Sequence, residues 1–119
     1  MTFDYLQRVI VEGQLDVEDL GNVCIRGRND IGEEFYLMIK SEDGYCVLIE
    51  YGPATPDFEM LPFSVKLTYD YFEFSTQKLE RRIDKFLNDG KRLITQADVV
   101  DIEEIRKNIV NPVDRVFPI

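Results

Sequence analysis

Three apolar runs separated by short polar turns occupy residues 22–51, and they constrain the fold more than any other feature of the chain. Asn29-Asp30-Ile31-Gly32 divides the first run from the second, and Ser41-Glu42-Asp43-Gly44 divides the second from the third. Asn, Asp and Gly tolerate the positive φ angles of tight hairpins, so both segments are typical of reversals between antiparallel strands. The sequence therefore predicts a three-strand meander over Asn22–Arg28, Glu33–Lys40 and Tyr45–Tyr51.

Both faces of this predicted meander are apolar at the centre. In the middle strand Phe35 and Leu37 point to one side and Tyr36 to the other, so we expect cover on both sides of the sheet. The same alternation places Cys24 and Cys46 on one face, on the two strands that flank the middle one. Two strand spacings, roughly 9–10 Å, would separate them. That distance is too long for a disulfide.

Helices and one more strand complete the predicted fold. Apolar residues at helical spacing predict an N-terminal helix over residues 3–12, with Thr2 as its cap. Strict alternation over Phe63–Tyr71 predicts a fourth strand. Two C-terminal helices follow, one from Ser75 to Gly90 and one from Thr95 to about Val110. The predicted class is α+β, with an antiparallel sheet of about four strands and the order α-β-β-β-β-α-α.

The length of the chain bounds its organisation. At 119 residues it fits one globular domain spanning 1–119, and we expect residues 112–119 to form an extended C-terminal tail after Pro112. No apolar run approaches the ~18 residues of a membrane span. The first residues, Met1 to Asp4, lack the basic start of a signal peptide, so a cytoplasmic location is expected, with no membrane as partner.

The residue types argue against the common catalytic chemistries. The chain has no histidine, which removes the usual base that activates a serine or cysteine nucleophile. It has no Cys-x-x-Cys pair, no glycine-rich phosphate loop and no EF-hand pattern. The acids at Glu33, Glu34, Asp98, Asp101 and Glu104 are typical of solvated surfaces. We therefore expect no enzymatic activity, no metal and no cofactor.

Positive charge concentrates in one segment. Residues 61–119 hold ten Lys/Arg and ten Asp/Glu and are neutral as a whole. Six of these cations form what we call the basic stripe: Lys78, Arg81, Arg82, Lys85, Lys91 and Arg92. The first four stand at i, i+3, i+4 and i+7, a spacing that places them in one line along a helix. The sequence predicts a candidate binding surface here.

Negative charge concentrates in the other half. Residues 1–60 hold four Lys/Arg and thirteen Asp/Glu, so their net charge is 4 − 13 = −9. Because hairpin turns alternate between the two ends of a meander, only some of these acids can lie together. The candidate acidic contacts at one end are Asp16, Glu18, Asp19, Glu42 and Asp43.

These observations favour a non-catalytic protein-binding module. A net charge of −9 repels nucleic acid and anionic membranes and attracts a basic protein. We expect a small acidic cytoplasmic bacterial or phage factor of inhibitor, immunity or chaperone type, whose partner is another protein. The order of helix, three-strand meander and helix resembles that of small acidic secretion chaperones, and the resemblance implies binding of partly unfolded clients.

Several alternatives stay open at this stage. Carboxylates spaced like phosphates would make a DNA-mimic inhibitor of a nucleic-acid-binding protein. The stripe over residues 78–92 would bind an anionic ligand or nucleic acid, although the overall charge makes nucleic acid a poor partner. A small enzyme using carboxylates alone would need two acids that converge in a pocket. Opposite charges in the two halves also suggest a homo-oligomer.

Overall fold

The computed structural model describes residues 2–15, 20, 22–53, 65–90 and 92–101, and within these ranges it shows an α+β fold. Five strands and two helices follow one another in the order α-β-β-β-β-α-β. The elements are α1 Phe3–Val11, β1 Asn22–Asn29, β2 Glu34–Glu42, β3 Tyr45–Gly52, β4 Val65–Glu73, α2 Thr76–Leu87 and β5 Ile94–Asp101. The predicted class and the antiparallel sheet are confirmed.

Local signals set the turns and the helix starts where the sequence predicted them. In the β2–β3 hairpin Asp43 and Gly44 have φ angles of 50° and 84°, the left-handed pair that a tight two-residue turn requires. The β1–β2 turn is closed by Asn29, whose Oδ1 accepts a hydrogen bond from the Glu33 N–H at 2.8 Å. Thr2 Oγ1 caps α1 by accepting from the Tyr5 N–H at 3.2 Å, which confirms the predicted cap.

The five strands form one antiparallel sheet in the order β4-β3-β2-β1-β5. The main core lies between one face of this sheet and the two helices, with Leu6 of α1, Phe86 of α2 and Leu37 of β2 fully buried. Because β4 and β5 lie at opposite ends of the strand order, α2 connects one side of the sheet to the other. We call the face of the sheet that packs against the two helices the helix face.

The opposite face of the sheet has a smaller core of its own. Cys24, Tyr36 and Met38 are buried there, and Ile49 and Tyr51 pack against them partly exposed. The central strand β2 is therefore buried on both faces, as its continuous apolar sequence predicted.

The last predicted helix is wrong over its first turns, because residues 94–101 form the strand β5. This strand pairs antiparallel with β1, and Asp98, which stands opposite Arg26, accepts from its Nε at 3.1 Å and its Nη2 at 2.6 Å. The β-branched Val99 and Val100 suit a strand, and pairing with β1 satisfies backbone groups that a helix would leave at the edge of the sheet. The rest of that predicted helix and the predicted tail 112–119 lie outside the described residues.

The predicted placement of Cys24 on the same face as Cys46 is also wrong, because the side chains of β1 alternate one residue out of step with that prediction. Cys24 stands opposite Met38, whereas Val23 stands opposite Ile39, so Cys24 lies on the face away from the helices. Cys46 lies in the main core on the helix face. A shift of one residue moves every side chain of a strand to the other face, because successive side chains alternate. Both cysteines are free and buried, on opposite sides of the sheet.

Burial makes both thiols poor nucleophiles in the native protein. It raises the pKa of Cys46 to about 11 and that of Cys24 to about 12, from an ordinary value of 9.0. For Cys46 the difference is 11 − 9 = 2 units, so about 100-fold less thiolate is present at a given pH. We expect Ellman's reagent at pH 8 to modify the native protein at least about 100-fold more slowly than the unfolded chain.

The same shifts predict a loss of stability in alkali. Burial disfavours the thiolate form of both cysteines in the folded state. Their contribution to the free energy of unfolding is therefore complete below pH 9 and decreases as the pH rises from 9 towards 11 and 12. In the Ellman's experiment at pH 8, rapid modification of both thiols in the native protein would contradict their burial.

Candidate functional site

The structure divides the basic stripe into exposed and buried members. Lys78, Arg81 and Lys85 lie on the solvent side of α2, whereas Arg82 is buried against the sheet. Arg92, which follows the helix, is also buried, and Lys91 lies outside the described residues. The first four residues all lie in α2, but only three of them are available at the surface.

Arg82 is held by a network of side chains from two strands. Its Nη2 donates to Glu50 Oε2 of β3 at 2.6 Å and to Thr68 Oγ1 of β4 at 3.0 Å, while its Nε donates to Asp70 of β4. Only 9% of Arg82 and 3% of Glu50 are exposed. Buried charges are stable only when they are paired and hydrogen-bonded, so this contact fixes the position of α2 on the sheet.

Arg92 completes the network from the other side of Glu50. Its Nη1 contacts Glu50 Oε1, and its Nη2 donates to Asp89 Oδ2 at 2.9 Å. Its guanidinium also lies 5.1 Å from the ring centroid of Phe86 and 5.5 Å from that of Phe35. Desolvation by this burial lowers the pKa of Arg92. The single carboxylate of Glu50 therefore bridges two buried guanidinium groups.

Glu50 is a key residue that the sequence analysis did not single out. In β3 it occupies the inward position after Cys46 and Leu48, where apolar residues are the rule. A charged residue at such a position indicates a buried partner of opposite charge, so the alternation along β3 could have identified Glu50.

The candidate acidic contacts are only partly described. Glu42 and Asp43 are exposed at the β2–β3 hairpin. Asp16, Glu18 and Asp19 lie outside the described residues, so their position at the same end of the sheet stays a prediction. Glu33 and Glu34, at the other end, contact Asn29 and Arg28 at 2.9 Å and 3.1 Å.

Tyrosines dominate the sheet face opposite the helices, which we call the tyrosine face. The strand registers place five of the six tyrosines of the chain on it: Tyr36, Tyr45, Tyr51, Tyr69 and Tyr71. Tyr45 and Tyr71 stack with their ring centroids 4.9 Å apart and their planes within 9°. The Nζ atom of Lys66 lies 4.8 Å from the centroid of the Tyr69 ring.

Part of the tyrosine face is exposed and bordered by acids. Tyr69 and Tyr71 are 51% and 52% exposed, and Tyr45 is 37% exposed. Partial desolvation raises the pKa of the Tyr71 hydroxyl, and the nearby Tyr45, Glu42 and Asp43 raise it further. We call Tyr45, Tyr69 and Tyr71 together with Glu42 and Asp43 the tyrosine–acid patch.

This patch was not predicted from the sequence. Strict alternation over Phe63–Tyr71 predicted the strand, but it did not indicate that the face carrying Tyr69 and Tyr71 is exposed. In the structure Phe72 and Phe74 pack partly buried against the core, whereas the two tyrosines lie on the opposite face and are exposed. A run of tyrosines on an apolar strand face was the signal, because tyrosine combines apolar area with a hydroxyl that stays hydrated.

The buried network predicts a large effect of removing Glu50. Glu50→Ala leaves Arg82 and Arg92 without their shared counter-charge, so we expect the free energy of unfolding to fall by about 3–5 kcal/mol in denaturant titrations. Glu80→Ala, which removes an exposed acid of α2, is the control and is expected to change it by less than about 0.5 kcal/mol. Equal effects of the two substitutions would contradict a stabilising role for the network.

Comparison with protein-family models, curated proteins and solved structures gives no match for this chain. Within the described ranges no helix is long and apolar enough to cross a membrane. In the same residues no three acidic or cysteine side chains gather as metal ligands would. Function is therefore inferred from the exposure, contacts and charges of the residues described above.

Proposed function

We propose that this protein is a non-catalytic protein-binding module that docks a basic segment of another protein on the tyrosine–acid patch. The observation that carries this proposal is the exposed, stacked pair of Tyr45 and Tyr71 beside the hairpin acids Glu42 and Asp43. In finer terms, the protein is a cytoplasmic bacterial or phage factor of inhibitor, immunity or chaperone type.

Exposed aromatic rings at this density favour a protein partner. Tyrosine is enriched at the energetic centres of interfaces, because it offers a large apolar area with few rotatable bonds. The stacked rings of Tyr45 and Tyr71 hold each other in place, so little side-chain entropy is lost when a partner binds. A rigid aromatic surface of this kind supports binding of an extended or helical segment of a second protein.

The charges of the patch favour arginine and lysine in that segment. A guanidinium can stack on a tyrosine ring while it donates to a carboxylate of Glu42 or Asp43. Lys66 already lies over Tyr69 within this chain, which shows the contact geometry on the same face. The net charge of −9 increases the rate at which a basic partner approaches.

The other candidate functions have less support. A DNA-mimic inhibitor needs free carboxylates in rows, but Glu33, Glu34 and Asp98 contact side chains of this chain and Glu50 is buried. An enzyme using carboxylates needs two acids that converge without counter-ions, and Glu50 and Asp70 are both bound to Arg82. Self-association of the acidic patch with the exposed cations of α2 stays a prediction.

The patch can be tested with a nona-arginine peptide as the probe. Titration followed by amide chemical shifts should perturb residues around Tyr45, Tyr69 and Tyr71. Tyr45→Ala with Tyr71→Ala should weaken binding about tenfold, because each cation–π contact contributes roughly 0.5–1 kcal/mol at exposed sites. These substitutions leave the net charge unchanged, so a weakening cannot come from lost long-range attraction.

Tyr5→Ala provides the matched control. Tyr5 is 46% exposed on α1, and its ring lies 5.5 Å from the guanidinium carbon of Arg8, but it is not on the tyrosine face. Its replacement should leave the affinity unchanged, and the paired Tyr→Phe variants should retain binding. Shifts centred elsewhere, or equal weakening by Tyr5→Ala, would rule out the patch as the docking surface.

A further inference from the structure

A groove between α2 and the edge strand β4 gathers most of the exposed positive charge of the described chain. Its volume is about 410 Å³, within the size range of small-molecule sites. The charged residues that line it are Lys78, Arg81, Arg82, Lys85 and Asp70. Four of these are cations and one is an anion, so the lining carries a net charge of 4 − 1 = +3. An anion is the complementary ligand.

The exposed cations of the groove are not neutralised within the described part of the chain. Lys78, Arg81 and Lys85 make no ion pair there, in contrast with Arg82 and Arg92. Lys78 with Arg82, and Arg81 with Lys85, are like-charged neighbours at i, i+4, a spacing that destabilises a helix. A bound anion would remove this repulsion.

Arg82 is a lining residue of the groove whose side chain is held in one position. Its Nε and Nη2 are engaged by Asp70, Glu50 and Thr68, so the guanidinium cannot change its orientation freely. Its Nη1 is buried and has no hydrogen-bond partner among the residues described. Because this atom is buried, the exposed side chains of Lys78, Arg81 and Lys85 are the groups that can reach a ligand in the groove.

The geometry points to a binding site for a compact polyvalent phosphate, such as a di- or triphosphate group, in the groove between β4 and α2. Arginine and lysine together are the usual ligands of phosphate oxygens, and a net charge of +3 favours a polyvalent anion over a single carboxylate. The overall charge of −9 disfavours an extended polyanion such as nucleic acid. The cations of this site lie on α2, whereas Tyr71, which also lines the groove, is the one residue that the site shares with the tyrosine–acid patch.

Calorimetric titration with inorganic tripolyphosphate and pyrophosphate tests the site directly. We expect saturable binding with one ligand per chain. Arg81→Ala with Lys85→Ala should weaken it at least tenfold, because both removed groups donate charge-assisted hydrogen bonds to the ligand. Arg8→Ala with Lys40→Ala is the control, since it removes the same charge outside the groove and should change the affinity less than threefold.

Three outcomes would overturn the proposal. One is the absence of saturable binding at millimolar tripolyphosphate. The second is equal weakening in the two double variants, which would indicate attraction by net charge alone. The third is a ten-residue oligothymidylate that binds more than tenfold more tightly than tripolyphosphate and depends on Arg81 and Lys85, which would make the groove a nucleic-acid site. Circular dichroism of each variant establishes that it is folded.

Discussion

The carboxylate of Glu50, held between the guanidinium groups of Arg82 and Arg92, is the interaction on which the remaining arrangement depends. It joins β3 to α2 and to the connection that leads into β5, while Asp70 and Thr68 tie the same network to β4. Desolvation offsets much of the attraction within such a buried network, so the network is stable only while each charge keeps its partner. It fixes where α2 lies, and therefore where the exposed cations of that helix point.

Local sequence signals were enough to predict the helices and strands up to α2, although not the face to which β1 directs its side chains. The Asp43-Gly44 turn, the Thr2 cap and the apolar alternation of the strands each act over a few residues, so they can be read without knowing the tertiary structure. β5 could not be predicted in this way. Its apolar residues also fit helical spacing, and only pairing with β1, distant in sequence, selects the strand. Gly27 was a weak sign of this contact, since an added Cβ would lie 2.7 Å from Ile94 Cδ1.

The candidate sites were predictable in position but not in exposure. Helical spacing correctly aligned Lys78, Arg81, Arg82 and Lys85, yet spacing alone cannot tell that Arg82 faces a buried glutamate. The tyrosines of β3 and β4 were visible as an apolar pattern, and such a pattern normally indicates a core. Whether an apolar strand face is covered depends on what packs against it, and that information is not local.

The pairing of β1 with β5 also has a consequence for synthesis on the ribosome. Arg26 and Asp98, which bridge these strands, are 72 residues apart in sequence. Long-range pairings of this kind form slowly, because a large loop must close before any contact is gained. The open side of β1 therefore stays unpaired until β5 has emerged, and for that interval the nascent chain presents a bare strand edge to its neighbours.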